Sequence, residues 1–163
     1  MILNVRVDHR LLHGQVAFTW TTALGSDCIL IANDSVVDDQ IRKTTMKLAK
    51  PAGVKLVIKN IEDSIVAINA GKTDKYKLFI VVETIADAAR LARACDQVNA
   101  INLGGTPPRE NTRSIAKAVY VTPEEETLIR ELASEGNEVG IRMVPVDSSI
   151  DALSALGEGG DAA

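Results

Sequence analysis

Residues 77–92, KLFIVVETIADAARLA, contain a β-strand and the start of the helix that follows it. The aliphatic run over 77–82 is typical of a strand buried on both faces. Thr84 and Asp87 then provide the side chains that cap a helix N-terminus. A buried strand followed at once by an amphipathic helix is the repeating unit of a parallel α/β sheet. The helical spacing is carried by Ile85, Ala89 and Ala92.

The same alternation extends along the rest of the chain in both directions. It predicts an α/β fold: a single domain with an open, mostly parallel sheet of about seven strands and helices on both faces. The predicted strands are 2–7, 28–33, 54–59, 77–82, 99–103, 116–121 and 139–145. The other predicted helices carry apolar stripes at Val16, Trp20, Leu24; Val37, Ile41, Leu48; Ile61, Ile65, Ile68; and Leu128, Ile129, Leu132.

Capping residues and breaks refine this prediction. Thr122 and Glu125 form a capping-box signature ahead of a helix over 124–135, which Gly136 is predicted to end. The segment 104–114, GGTPPRENTRS, is short for a crossover and has no helical period, so we expect either an antiparallel sixth strand or a loop that serves a site. We expect a domain over 1–156 and a flexible tail over 157–163.

Composition excludes several classes of protein. The chain has 163 residues, 46% of them hydrophobic, which suffices for one core without disulfides or metals. Eighteen basic against 22 acidic residues and 3% aromatic content disfavour a nucleic-acid partner. The chain has no apolar stretch long enough to span a membrane and no secretion signal, so a cytoplasmic location is expected. Cys28 and Cys95 are interpreted as reduced core thiols.

The loop after the first predicted strand holds most of the chemically active residues. Asp8, His9, Arg10, His13 and Gly14 lie between that strand and a helix start, where ligands bind in sheets of this kind. A histidine at a helix start is next to backbone N–H groups that favour an anion, and a neutral imidazole is a good nucleophile. Arg10 suits phosphate oxygens, and Asp8 is placed to fix the imidazole tautomer. These residues fit a phosphohistidine site.

Other interpretations of the same residues stay open at this point. The loop also fits a carboxylate-binding site or a structural polar loop with Arg10 paired to Asp8. A zinc site is disfavoured because His9 and His13 lie in a loop without a third ligand. Gly71-Lys72-Thr73 lacks the first glycine of a phosphate-binding P-loop and follows a helix, so it is not taken as a nucleotide site.

A longer motif favours the first interpretation. Residues 6–16, RVDHRLLHGQV, resemble the active-site loop of the IIB components of the bacterial sugar phosphotransferase system, mannose, fructose and sorbose family. Many members of that family have an acidic residue at the position of His9. The resemblance covers nearly the whole chain and also includes Asn33-Asp34, Pro51, Asn102-Leu103-Gly104-Gly105, Ala118-Val119-Tyr120-Val121 and Val144-Pro145.

The resemblance implies a function and a set of partners. The chain is expected to be a protein-N(pi)-phosphohistidine–sugar phosphotransferase whose His13 accepts a phosphoryl group from a IIA phosphohistidine. His13 would pass that group to a sugar held by the membrane components IIC and IID, with Arg10 and Asp8 as the other catalytic residues. No cofactor, metal or nucleic acid is expected, and the location would be cytoplasmic, peripheral to the membrane through IIC and IID. The alternative function is a non-catalytic small-anion or nucleotide-binding regulatory domain.

A second group of residues is predicted to bind phosphate. Gly14 and Gln15 lie at the helix start, and Gly104 and Gly105 follow the fifth strand, where backbone amides would face the same rim. Thr106, Arg109 and Arg113 are the expected outer contacts. The alternative for the glycine pair is a turn that requires positive φ. The residues do not indicate which sugar is transported, which imidazole nitrogen is used, or the oligomeric state.

Overall fold

The computed structural model describes residues 1–157, with Gln15 described by its backbone only. The predicted flexible tail, 157–163, lies outside the described residues from 158 onward. The strands are β1 (Ile2–Asp8), β2 (Cys28–Ala32), β3 (Lys55–Lys59), β4 (Leu78–Val82), β5 (Ala100–Gly105), β6 (Arg113–Ala116), β7 (Val119–Val121), β8 (Glu138–Ile141) and β9 (Ile150–Asp151). The helices are α1 (Gly14–Leu24), α2 (Gln40–Ala49), α3 (Ile61–Asn69), α4 (Ile85–Ala94), α5 (Pro123–Ser134) and α6 (Ala152–Leu156), with a short 3₁₀ helix at Val36–Asp38.

The main sheet has seven strands in the order β3-β2-β4-β1-β5-β8-β9. The first six pair in parallel, and β9 runs antiparallel to β8. The predicted fold class is therefore confirmed: an open, mostly parallel α/β sheet with helices on both faces. No helix within residues 1–157 is long and apolar enough to cross a membrane.

Two apolar layers enclose the sheet, because successive strand residues point to opposite faces. In β4, Leu78, Ile80 and Val82 belong to the apolar layer that α3, α4, α5 and α6 share, whereas Phe79 and Val81 belong to the layer of α1 and α2. Both layers thus share the central strands. Cys28 and Cys95 are buried free thiols, and burial raises the pKa of each.

The capping signature before α5 is confirmed. The Thr122 side chain accepts a hydrogen bond from the Glu125 amide, and the Glu125 carboxylate accepts one from the Thr122 amide. The helix begins at Pro123 and ends at Ser134, close to the predicted bounds. Asp87 and Thr84 cap α4 as predicted, with the Asp87 amide donating to the Thr84 hydroxyl.

The apolar stripe predicted for α2 is wrong. Ile41 and Leu48 are 81% and 83% exposed, and Met46 is the buried residue of this helix. The chain forms the 3₁₀ helix first and then begins α2 at a new cap, because Asp39 accepts a hydrogen bond from the Arg42 amide. Because of that break, residues spaced as in a single helix from Val37 no longer lie on one face, and Ile41 and Leu48 point to solvent.

The predicted sixth strand, 116–121, is correct only over 119–121, which form an antiparallel strand as one of the two expectations had it. The chain forms two short antiparallel strands, β6 and β7, in a separate two-stranded sheet. Ala118 takes a positive φ of 66° at the turn between them, which reverses the chain. A single parallel bridge, Thr106 to Val119, connects this hairpin to the chain just after β5.

The seventh predicted strand, 139–145, is shorter than expected. β8 ends at Ile141, and the Arg142 guanidinium closes the following loop by donating to the Pro145 and Asp147 carbonyls at 2.6 and 2.7 Å. Proline has no amide hydrogen to continue a ladder, which suits a loop at that position. The chain then returns as β9 at the sheet edge.

Candidate functional site

The loop between β1 and α1 lies where the strand order reverses. β1 is paired with β4 on one side and β5 on the other. The chain leaves β1 through α1 toward β2 and leaves β5 through α5 toward β8, in opposite directions, and α1 and α5 cover opposite faces of the sheet. Between two such strands the connecting chains diverge and leave a crevice at the carboxyl ends, the usual ligand site of open α/β sheets.

Asp8, the last residue of β1, organises this loop although it is fully buried. Its carbonyl accepts from the Leu11 amide at 2.9 Å, and its carboxylate Oδ1 accepts from the Arg10 amide at 3.0 Å. The other oxygen, Oδ2, lies 3.3 Å from His13 Nε2 and 3.2 Å from Arg6 Nη2. One buried carboxylate therefore fixes both the loop backbone and the imidazole.

Two leucines anchor the loop beneath its polar residues. Leu11 and Leu12 are buried in the layer that α1 covers. Leu11 adopts φ of 58°, a left-handed conformation that costs a non-glycine residue about 1–2 kcal/mol. Burial of the side chain holds the strained backbone in place, as is usual where a site is kept in one geometry.

His13 is the N-cap residue of α1, and its side chain makes no capping hydrogen bond. Its ring is turned to Asp8 instead and is 26% exposed. The first turn of α1 carries no acidic residue. A Cβ added at Gly14 would meet no atom within 4 Å, so the space over the helix start is open. An anion would be favoured there by the helix amides and dipole.

Arg10 lies at the rim of the loop and is 57% exposed. Its Nε is 3.7 Å from Asp8 Oδ1, too long for a hydrogen bond. A guanidinium held this loosely can turn toward a bound anion. The structure thus brings together the three residues predicted as catalytic, Asp8, Arg10 and His13, in one local turn.

Gly104 and Gly105 end β5 and have no positive φ, so the interpretation of this pair as a turn requiring positive φ is wrong. Gly105 is beside the loop: its carbonyl accepts from the His9 amide at 3.0 Å. Gly104 faces the other way, where a Cβ would lie 2.1 Å from Cζ of Arg6. The Arg6 guanidinium occupies the space that a side chain at position 104 would fill, which explains why this position is a glycine. For Gln15, the structure places the backbone in the first turn of α1.

Arg6 was not identified from the sequence although it contacts the site. It lies in the middle of β1, is 1% exposed, and pairs with Asp8. The available signal was a charged residue between the core residues Val5 and Val7 in a strand buried on both faces. Burial lowers the pKa of Arg6, and the neighbouring Asp8 carboxylate partly offsets that effect.

The predicted outer contacts are engaged elsewhere. The Thr106 hydroxyl donates to the Tyr120 carbonyl at 2.6 Å and links β5 to the hairpin. Arg109 pairs with Glu125 at 2.9 Å and Arg113 with Glu126 at 2.7 Å, both at the start of α5. These arginines hold the hairpin segment against α5.

His9 lies on a different side of the loop from His13. Its Nδ1 is 3.3 Å from the Gly105 carbonyl, so that nitrogen carries the proton when it donates to this oxygen. The ring lines a cavity of about 200 Å³, whose other lining residues are Glu83, Thr84, Thr106, Pro107, Arg109 and Glu125.

Among residues 1–157, no group of three or more His, Cys, Asp or Glu side chains is placed to hold a metal ion.

Comparison with known proteins shows the family to which this chain belongs. Residues 2–161 match the family model described as the PTS system sorbose subfamily IIB component. The chain belongs to this family. It is a IIB component of a phosphotransferase system of sugar uptake, and the family suggested by residues 6–16 is confirmed.

Two sorbose-specific relatives match this IIB component along nearly their whole length, and a third match is part of a longer protein. The sorbose-specific EIIB component of Lacticaseibacillus casei is 32% identical over 97% of this chain and 96% of its own. The crystal structure of the IIBSor domain of the sorbose permease from Klebsiella pneumoniae superposes with a TM-score of 0.91 at 28% identity, over 97% of both chains. The mannose-specific EIIAB component of Escherichia coli is 26% identical over 93% of this chain, which spans 47% of that longer protein.

Proposed function

We propose that this IIB component carries a phosphoryl group on His13. The group is accepted from the phosphohistidine of a IIA protein and passed to a sugar bound by the membrane components IIC and IID. This is the activity of a protein-N(pi)-phosphohistidine–sugar phosphotransferase. The observation that carries the proposal is the half-buried His13 ring, held through Nε2 by the buried Asp8 at the open start of α1.

The contact with Asp8 selects the reacting nitrogen. An ionised carboxylate accepts hydrogen bonds, so it favours the tautomer with the proton on Nε2 and the lone pair on Nδ1. Nδ1 attacks phosphorus as the bond to the donor imidazole breaks. The His13 ring then carries the phosphoryl group on Nδ1 and the proton on Nε2, and Asp8 stabilises its positive charge.

The second transfer reverses these changes at His13. A sugar hydroxyl attacks phosphorus, the bond to Nδ1 breaks, and the ring returns to the neutral tautomer still held by Asp8. The hydroxyl proton is released to solvent. Asp8 thus serves both half-reactions without itself gaining or losing a proton.

Arg10 supports the transferred group rather than the resting phosphate. Phosphoryl transfer passes through a loose transition state with charge on three equatorial oxygens, which a forked guanidinium can contact. Arg10 is exposed and only loosely paired with Asp8, so it is free to make this contact. A carrier that bound its phosphate too tightly would not release it, which favours contacts made mainly in the transition state.

The resting phosphate would be held by weaker groups near the helix start. The backbone at Gly14 and Gln15 is at the positive end of the α1 dipole. Gly105 lies near Asp8 and His9, and without a side chain its backbone would come close to a phosphate bound there. The proposed phosphate role of Gly104 is the least supported of these, because the side on which its side chain would project is filled by Arg6.

The proposed partners follow from one geometric requirement. Donor and acceptor must reach the same Nδ1 atom in turn, so both would dock on the rim around His13. The Escherichia coli relative is named as an EIIAB component, which joins IIA and IIB in one protein and supports IIA as the donor. Working against IIC and IID would place this chain in the cytoplasm at the membrane surface.

Incubation with a phosphorylated general carrier and its IIA protein tests the proposal. We expect one phosphoryl group on the peptide containing His13, acid-labile and base-stable, detected by mass spectrometry. ³¹P NMR should place it on Nδ1. A protein that binds phosphate reversibly but is never labelled by an active IIA donor would instead be a non-catalytic anion-binding domain.

A further inference from the structure

Arg6, the buried arginine next to the site, makes polar and aromatic contacts that an apolar core residue would not make. Arg6 Nη1 donates to the Arg142 carbonyl at 3.0 Å, and Nη2 donates to Asp8 Oδ2 at 3.2 Å. Its Cζ lies 5.0 Å from the Trp20 ring centroid. The guanidinium is therefore fixed on three sides by a carbonyl, a carboxylate and an aromatic face.

The neighbouring strand is shaped to admit this side chain. A Cβ at Gly104 would lie 2.1 Å from Cζ and 2.3 Å from Nη1 of Arg6, so a side chain there requires the guanidinium to move. Because the guanidinium is buried and bonded to Asp8 and to the Arg142 carbonyl, that movement disturbs both contacts. The position of Arg6 in β1 therefore depends on the absence of a side chain at Gly104 in β5.

Stability alone is a poor reason for this arrangement. Burying an ion pair generally gains little over well-packed apolar residues, because both charges lose their hydration. Nε of Arg6 also has no hydrogen-bond partner within the described residues, which adds to the cost. An apolar side chain at position 6 would avoid both costs.

The site gives a reason for a charged side chain at position 6. It shares the oxygen Oδ2 of Asp8 with His13 Nε2, while the Arg10 amide occupies Oδ1. It also contacts Trp20, which lies in α1, the helix whose N-cap is His13. One guanidinium therefore positions both the carboxylate and the helix that carries the nucleophile.

We infer that Arg6 is the positioning residue of the site, and that Gly104 is required for it. Arg6 holds the buried Asp8 carboxylate in the orientation in which His13 keeps its proton on Nε2 and presents Nδ1. The consequence for phosphoryl transfer rests on the proposed function of His13, whereas the consequence for the tautomer does not.

The His13 tautomer tests the inference in the unphosphorylated protein. The chain has two histidines, so ¹⁵N-histidine labelling gives two imidazoles to assign. We expect wild-type His13 to be an Nε2–H tautomer. Gly104→Ala and Arg6→Met should lose that preference and give a mixture, and Arg6→Lys should restore part of it. Arg93→Met, which removes an exposed arginine paired with Glu131 and Glu135, is the control and should leave the His13 spectrum unchanged.

Phosphorylation of the same variants supplies a second measurement. We expect the phosphoryl group to appear on both ring nitrogens in Gly104→Ala instead of on Nδ1 alone. Transfer should slow about 10-fold or more, as occurs when partners that orient metal-binding histidines are removed. If wild type is not labelled but the tautomer shifts as expected, the proposed function fails and the inference about Arg6 stands.

Two results would overturn the inference. The first is a wild-type His13 tautomer in folded Gly104→Ala and Arg6→Met. The second is loss of cooperative unfolding in all three variants, including Arg6→Lys, which would give Arg6 a role in stability alone.

Discussion

At the scale of single residues, the difference in burial between His13 and Asp8 separates their roles. His13 is partly exposed and contributes little to the core, whereas Asp8 is fully buried. A substitution at the rim should therefore affect chemistry without affecting folding.

We expect His13→Ala to lose all phosphorylation while its free energy of unfolding changes by less than about 1 kcal/mol. Labelling by a phosphorylated IIA protein and urea unfolding measure the two properties. His9→Asp is the matched control, because His9 contacts the Gly105 carbonyl and not Asp8. It should keep phosphoryl acceptance. Labelling of His13→Ala together with loss of labelling in His9→Asp would reverse the assignment of the two histidines.

Arg10→Lys should slow phosphoryl transfer in both directions by about 10-fold, with a smaller change in the phosphorylation equilibrium. An ammonium keeps the charge but cannot make the forked contact with phosphate oxygens. Rapid-quench measurements of the forward and reverse rates test this. Arg93→Lys alters an exposed arginine far along the chain and should leave both rates at wild-type values. Unchanged rates in Arg10→Lys would indicate that Arg10 merely pairs with Asp8.

The residues of the site differ in how far sequence could predict them. Asp8, Arg10 and His13 lie within six positions of one another, so a strand end followed by a helix start already brings them together. Arg6 acts through a carbonyl 136 positions away and a glycine on another strand, and no local pattern shows such contacts. Its charge in a buried strand was the only local sign.

At the scale of elements, polar side chains at strand ends connect helices that follow different strands. The Asn33 side chain accepts from the Ser35 and Val36 amides and so caps the 3₁₀ helix. Asp34 reaches further: its carboxylate accepts from the Ile61 amide at 2.9 Å and from Arg90 at 3.0 Å. It therefore ties the end of β2 to the start of α3 and to α4.

The contribution of Asp34 to stability should depend on pH. The Ile61 amide and the Arg90 guanidinium lower the pKa of this carboxyl below its usual 3.8. A lowered folded-state pKa stabilises the fold above the unfolded-state value, and this contribution is lost as pH falls through the folded-state pKa. We expect Asp34→Asn to be less stable than wild type by a constant amount above about pH 5, with the difference shrinking below about pH 4.

Urea unfolding of both proteins across that range measures this dependence. Asp38→Asn removes an exposed carboxylate from the neighbouring 3₁₀ helix and serves as the control for the loss of one negative charge. A difference between wild type and Asp34→Asn that persists undiminished at the lowest pH would contradict the argument from Arg90.

Prediction from sequence was strongest where an element carries its own boundary signals. The helix before Gly136 was located because Thr122, Pro123 and Glu125 act within one turn. It failed for α2, because the start of that helix depends on a cap at Asp39 after a separate 3₁₀ helix. It also failed for the hairpin, because the reversal needs Ala118 in a conformation that alanine rarely adopts.

At the scale of the whole molecule, the two apolar layers are joined through the central strands. β2 and β4 contribute alternate residues to both apolar layers. Neither layer can lose its helices without exposing strands that the other layer also covers. The two layers should therefore unfold together.

Trp20, the single tryptophan, allows this to be measured. Its ring lies between α1 and the sheet, 6.3 Å from that of Phe79, and its Nε1 donates to the Met143 carbonyl. Its fluorescence reports on the layer under α1, whereas far-UV circular dichroism is dominated by the helices of both layers. We expect both signals to give one urea midpoint and one slope, as in two-state unfolding of a domain this size. A tryptophan transition that precedes loss of helix would mean that α1, and with it His13, separates from a sheet still covered by α3, α4 and α5.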